Sequence, residues 1–169
     1  MSQTRVPPVR PTMVGIAFYN QPNLRLPRWA LVLHPRRYDS EHVRVYQICK
    51  RSNGEDWIVD HRICHLNALG DLIGVLHMTV SPYDLEILDT LLQTYPPGKE
   101  GSNPGQVFVW SPSAWVIRAL SDLHENEYAI IPGKYRDRTA WEMVTDLCSI
   151  LRRMKPKAEK MRIISWPTN

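Results

Sequence analysis

Apolar residues recur at every second position in the first half of the chain and at every third or fourth in the second, so strands are expected to precede helices. Thr12 to Tyr19 is a short apolar stretch, read as an edge strand or as the packed approach to the domain. After a loop through Asn20, Pro22 and Asn23, Arg28 to His34 is too short and too continuously apolar for a surface helix, which predicts a buried central strand closed by Pro35. Beyond the Arg36-Arg37 turn, β-branched residues alternate with polar ones from His42 to Cys49 and give the next strand. Ser52-Asn53-Gly54 is a hairpin turn, because Asn and Gly tolerate positive φ, so Asp56 to Ile63 returns as a third antiparallel strand and Leu72 to Val80 makes a fourth.

From Ser81 the period becomes helical. Ser81-Pro82-Tyr83-Asp84 reads as a helix start with Ser81 as N-cap and Pro82 in the first turn, and Leu85, Leu88, Leu91 and Leu92 form its apolar face until Tyr95-Pro96-Pro97 stops it. Gly98 to Gly105 is a loop. Ser111-Pro112 opens a second helix with Val116, Ala119, Leu120 and Leu123 on one side, and Ala129 to Pro132 is a short strand or exit loop. A third helix runs from about Thr139, with Glu142 completing a capping box, and ends at Lys155-Pro156. Met161 to Trp166 is a last strand or a tail. The expected architecture is α+β: an antiparallel sheet of about five strands, two helices packed on it and a C-terminal helix.

The 169 residues, 43% hydrophobic and 22% charged, suit a flexible arm over residues 1–12, rich in proline, and one domain over 13–169. The longest apolar runs fall far short of the roughly 18 residues a membrane span needs, and the polar opening does not resemble a secretory signal. Three widely spaced cysteines fit a reducing compartment, so an intracellular, cytoplasmic location is expected. Charge is distributed in blocks: residues 1–54 carry nine basic and two acidic side chains, residues 55–131 three and eleven, and residues 132–169 nine and four. Opposite blocks can neutralise one another across a fold, and without a basic element interleaved with aromatics the pattern argues against nucleic acid.

Candidate chemistry is sparse. His61, Cys64 and His65 are zinc-binding types, but on a strand Cys64 points away from the two histidines and no second pair completes a tetrahedral site, so no metal or other cofactor is expected. Asp56 and Asp60 share a strand face without a feature that would drive their pKa values apart, and read as solvated. Phosphate-binding glycine loops, zincin helices and the nucleophile elbow are missing from the sequence.

The larger arrangement is more informative. Trp29-Ala30-Leu31-Val32-Leu33 on a central strand, Val45-Tyr46-Gln47-Ile48 on the next, Leu72 to Val75 later, a Leu-rich helix ending in Tyr95-Pro96, and Trp110-Ser111-Pro112-Ser113-Ala114-Trp115-Val116 together resemble a group of fungal proteins with a circularly permuted papain-like fold. That fold is similar to the lecithin retinol acyltransferase family and to permuted relatives of NlpC-type peptidases. In active members the resemblance implies a histidine just before the Trp-Ala-Leu strand, a cysteine at the start of the Trp-Val helix and a third polar group on the second strand. Here Arg28 stands at the histidine position and Pro112 at the cysteine position, and Gln47 is the nearest match to the third.

Arginine is no base near neutral pH and proline offers neither thiol nor hydroxyl, so acyl transfer cannot run through these positions and no catalytic residue is assigned. His34 is about 20 Å along the strand from Arg28 and does not replace the base. Ser111 reads as an N-cap rather than a nucleophile. The expected function is that of a pseudoenzyme whose inherited cleft, with Arg28, Gln47, Ser111, Pro112 and Ser113 as candidate lining, binds a peptide, a protein or an acidic small molecule. The alternative is an active hydrolase or acyltransferase with a displaced nucleophile: Ser111, Ser113, Cys49 or Cys64. Trp29, Trp110 and Trp115 are read as core.

Overall fold

A computed structural model of the chain describes residues 10–99, 109–131, 138–155 and 160–167, with side chains from 141 onward in the third of these segments. Its strands are β1 (Thr12–Gln21), β2 (Leu24–His34), β3 (Val43–Tyr46), β4 (Ile48–Lys50), β5 (Trp57–Val59), β6 (Arg62–Cys64), β7 (Leu72–Ser81) and β8 (Ile163–Ser165). The helices are α1 (Leu85–Gln93), α2 (Pro112–Glu125) and α3 (Arg138–Arg153), and a short 3-10 turn spans Leu66–Leu69. The architecture is α+β, with a mostly antiparallel six-stranded sheet in the order β6-β3-β2-β1-β7-β8 and a separate β4-β5 hairpin.

Several expectations need correction. The Thr12 stretch is not an edge: β1 lies between β2 and β7, antiparallel to both, and Val14, Ile16 and Phe18 are fully buried. Thr12 itself is buried in β1 rather than part of an arm, while residues 1–9 lie outside the described residues. The strand expected over His42 to Cys49 breaks at Gln47, whose carbonyl accepts the Asp60 N–H at 2.9 Å. Before the break β3 pairs with β2 and β6; after it β4 pairs only with β5, so Asp56 to Ile63 is divided in the same way. The Asn53-Gly54 turn joins β4 to β5, with Gly54 at φ 76°.

Ser81 does not cap α1. It ends β7, where its hydroxyl donates to the Tyr128 carbonyl, and Asp84 is the N-cap. The C-terminal stretch is a strand, and β8 runs parallel to β7, making the sheet six-stranded rather than five. Ala129 to Ile131 is irregular rather than a strand. The expected stops at Pro132 and Pro156, the start of the Thr139 capping box, and Glu100 to Gly105 of the glycine-rich loop lie outside the described residues or side chains.

Alternation sends residues of β1, β2 and β7 to two cores. On one face Val14, Ile16, Phe18, Trp29, Leu31 and Leu33 meet the helices; on the other Ala17, Tyr19, Ala30, Val32 and Val75 meet Tyr38, Leu66 and Met161. Tyr38 lies across Gly15, where a Cβ would come within 2.7 Å of its hydroxyl, and that hydroxyl shares a 2.8 Å hydrogen bond with His77 Nδ1.

Helix α2 is buried on nearly every side, which is why apolar residues surround it. Its one buried cation, Arg118, is held by a strap of chain: Nη2 donates to the Pro96 carbonyl at 2.7 Å and Nη1 to Gly98 at 2.9 Å, with the rings of Trp110 and Tyr95 within 4.5 and 5.0 Å of the guanidinium. The Trp115 and Trp110 indoles donate to the carbonyls of Pro96 and Pro97. Proline carbonyls that no helix or strand uses thus find donors on and beside α2. The opposite charges of the first two sequence blocks also meet, as Arg44 of β3 pairs with Glu86 and Asp89 of α1.

Candidate functional site

The divergence at Gln47 opens a wedge between the first half of β2 and the β4-β5 hairpin. The resulting cleft has a volume of about 740 Å³ and is closed at its base by the start of α2 and by Trp141 of α3. Leu24, Leu26, Pro27 and Arg28 come from β2, Lys50 and Trp57 from the hairpin, and Ser111, Pro112 and Ser113 from α2. Trp141 is held in place by stacking on Trp29, with ring centroids 6.3 Å apart and planes 18° from parallel.

Four of the five candidates are therefore brought together. Ser111 has extended φ and ψ, and its hydroxyl accepts the Ala114 N–H at 3.2 Å, so it is the N-cap of α2. Its Oγ also lies 3.0 Å from Ser113 Oγ, and the Trp141 indole donates to Ser113 Oγ at 3.4 Å. Pro112 has no N–H and Ala114's is capped, which leaves the Ser113 N–H as the donor of the first turn.

Arg28 forms part of the wall, but its guanidinium is not aimed at the α2 start. Arg28 pairs across the sheet with Tyr19, its guanidinium lies 4.8 Å from the Tyr19 ring centroid, and Nη2 donates to the Leu69 carbonyl at 2.9 Å. Arg28 thus lines the cleft as expected, but its guanidinium turns elsewhere: cross-strand partners share a face, and Tyr19 faces the core away from the helices.

Gln47 is the candidate that does not line the cleft. It is 2% exposed, and its Nε2 donates to Asp60 Oδ2 at 3.0 Å while Oε1 has no partner among the described residues. Asp60 also accepts Arg62 Nε at 2.8 Å, so it is not the solvated carboxylate its spacing suggested. Arg62 chiefly, with smaller contributions from Gln47 and Arg28, holds the Asp60 carboxyl below the usual range.

His61, Cys64 and His65 are separated by their surroundings. His61 lies between Tyr46 and Trp115, with ring centroids at 5.1 and 6.0 Å, and burial lowers its pKa. Cys64 pairs with Val43 in the sheet, and His65 Nδ1 caps the 3-10 turn by accepting the Asn67 N–H. Among the described residues no three His, Cys, Asp or Glu side chains are grouped to hold a metal ion. His34 Nδ1 accepts the backbone N–H groups of Arg36 and Arg37, turning the chain after β2.

Among the described residues no histidine is hydrogen-bonded to a serine or cysteine side chain. Burial raises the Cys64 thiol and pushes Cys148 up to about 11, opposite to the shift that activates a thiol. The cleft residues that sequence reasoning missed are Gln21, Leu24, Leu26, Pro27, Lys50, Trp57, Val109 and Trp141. None belongs to a motif; only the hairpin signal at Asn53-Gly54 hinted that Lys50 and Trp57 would stand side by side. No helix among the described residues is long and apolar enough to cross a membrane. Comparison with protein-family models, with curated proteins and with solved structures finds no match in any of the three.

Proposed function

We propose that this chain is a catalytically silent domain on a permuted papain-like frame, and that it binds a peptide, protein or acidic small-molecule partner in the cleft between β2, the β4-β5 hairpin and the start of α2. The observation that carries this reading is the chemistry of the α2 start. A proline occupies the first helical position, and the flanking hydroxyls of Ser111 and Ser113 are engaged with a backbone N–H, with each other and with the Trp141 indole. A serine nucleophile needs a base to take its proton, and no histidine is hydrogen-bonded to either serine among the described residues. What the cleft does offer is apolar and aromatic wall, from Leu24, Leu26, Trp57, Val109 and Trp141, beside the Lys50 cation.

Its location inside the cell is part of the same reading, resting on the cysteines, which are all free. The test is labelling of the full chain with serine-directed fluorophosphonate and thiol-directed probes, located by mass spectrometry. The silent reading expects labelling at Ser111, Ser113, Cys49 and Cys64 no faster than in the denatured chain. Stoichiometric labelling at one of them, removed by its substitution, would establish the hydrolase or acyltransferase reading instead.

A further inference from the structure

The wall contributed by β2 differs from an ordinary apolar surface because it is a strand edge. β3 pairs with β2 only across Leu31–Leu33, so no strand among the described residues covers the first half of β2 on that side. The Leu26 carbonyl is bonded by the Gln21 side chain of β1 at 3.0 Å. The β1–β2 register shifts opposite this stretch, between Tyr19 and Gln21, and among the described residues neither Arg25 nor Pro27 has a paired partner in β1, so their backbone groups stand outside that ladder. Pro27 offers a carbonyl without an N–H, which blunts the edge against another copy while leaving acceptors for a suitable segment.

Side chains around this edge also point to one ligand chemistry. Leu24 is 62% exposed, Leu26 57% and Val109 89%, in a cleft that also holds the indoles of Trp57 and Trp141. Arg28 contributes to the wall but spends its guanidinium on Tyr19 and Leu69, which leaves Lys50 as the cation that can meet an occupant, and no acidic residue lines the cleft among the described residues. Lys50 rests near the Trp57 ring, with Nζ 5.4 Å from its centroid, and has no acidic partner among the described residues. An occupant that hydrogen-bonds through its backbone, buries apolar side chains and brings a carboxylate to Lys50 satisfies all of these groups.

We propose that the cleft takes an extended peptide of alternating apolar and acidic residues, added as a strand to the free edge of β2 with a carboxylate against Lys50. This rests on the binding reading above and names its ligand class. The probe is a blocked synthetic peptide of alternating leucine and glutamate, titrated calorimetrically into the full chain. Two control peptides carry N-methylated backbone or lysine for glutamate. Anilinonaphthalene sulfonate, an apolar anion with no peptide backbone, reports separately on the cleft.

Strand addition requires that N-methylation weaken binding at least about tenfold, the scale of one or two lost hydrogen bonds. Lys50→Glu is expected to weaken the glutamate peptide at least about tenfold and to favour the lysine peptide, a reversal that misfolding would not give. Added salt should weaken the wild-type complex. Equal affinity for the N-methylated peptide, or no binding of the glutamate peptide, overturns strand addition. If anilinonaphthalene sulfonate still binds and Trp57→Ala removes its signal, only strand addition has failed; if neither ligand binds, the binding reading fails with it. Sedimentation showing a dimer that Lys50→Glu disperses would identify a second copy as the occupant and also overturn the proposal.

Discussion

Replacing Ser111 by alanine separates a structural serine from a chemical one. The side chain sits at φ −160° and ψ 167°, outside the helix, and accepts the Ala114 N–H at 3.2 Å. Loss of an N-cap hydroxyl costs about 1 kcal/mol, within a range of roughly 0.5–2. In a domain of this size about 1 kcal/mol lowers the thermal midpoint by roughly 2–4 °C. Ser111→Asp keeps an acceptor and adds a negative charge at the positive end of α2, so it should recover most of the loss. Urea unfolding measures both variants, and an unchanged slope would show that the surface exposed on unfolding is the same in each. An aspartate variant as unstable as the alanine variant, or a neutral alanine variant, would refute the capping argument. A stable aspartate variant also removes any nucleophile at this position without confounding activity with folding.

Three other substitutions or conditions test the frame around the cleft. Gly74→Ala would place a Cβ 2.7 Å from the Arg162 carbonyl and 2.9 Å from Leu151, so it should cost about 1–3 kcal/mol and speed amide exchange in β8; unchanged exchange there would contradict the packing. Arg118→Met removes the donor to the Gly98 carbonyl and one of the two donors to the Pro96 carbonyl, which keeps the Trp115 indole, with an expected loss of about 1–3 kcal/mol in urea and a red shift in tryptophan emission as the strap over Trp110 and Trp115 loosens. Acid should weaken the fold in two stages. Burial holds His61 and His77 below their usual range, so their contribution is complete above the unfolded histidine pKa and is lost as pH falls toward the folded values. Asp60, lowered chiefly by Arg62, contributes above the unfolded carboxylate pKa and loses that contribution as pH falls further. Urea midpoints measured across this range should flatten in the upper stage for His61→Gln and in the lower for Asp60→Asn.

Much of the fold can be read from the sequence because its signals are local. The Arg28 to His34 apolar run, the Asn53-Gly54 turn and the Ser111-Pro112 helix start each carry their own physical reason and stand where expected. What cannot be read depends on partners. Side-chain alternation continues from Val45 through Ile48, so the pattern is blind to the change of hydrogen-bond partner at Gln47 that opens the cleft. The central position of β1 is equally hidden, since an apolar strand of this length fits an edge or a centre until β7 is known to pair with it. Ser81 was a plausible cap by composition, but β7 extends to it and Tyr128 supplies the acceptor for its hydroxyl. Parallel pairing of β8 requires the chain to return after α3, which no local signal encodes. At the site, the sequence indicates the α2 start and Arg28, while Trp141 and Lys50 reach the cleft only through tertiary packing.

Chemical-shift mapping of the full chain titrated with anilinonaphthalene sulfonate tests the binding cleft most directly. The predicted result is saturable shifts on the indole N–H groups of Trp57 and Trp141 and on the amides of Lys50 and Ser113, the groups that surround the wedge opened at Gln47. Saturable shifts confined to the opposite core around Tyr38 and His77, or no saturable shifts at all, would contradict it.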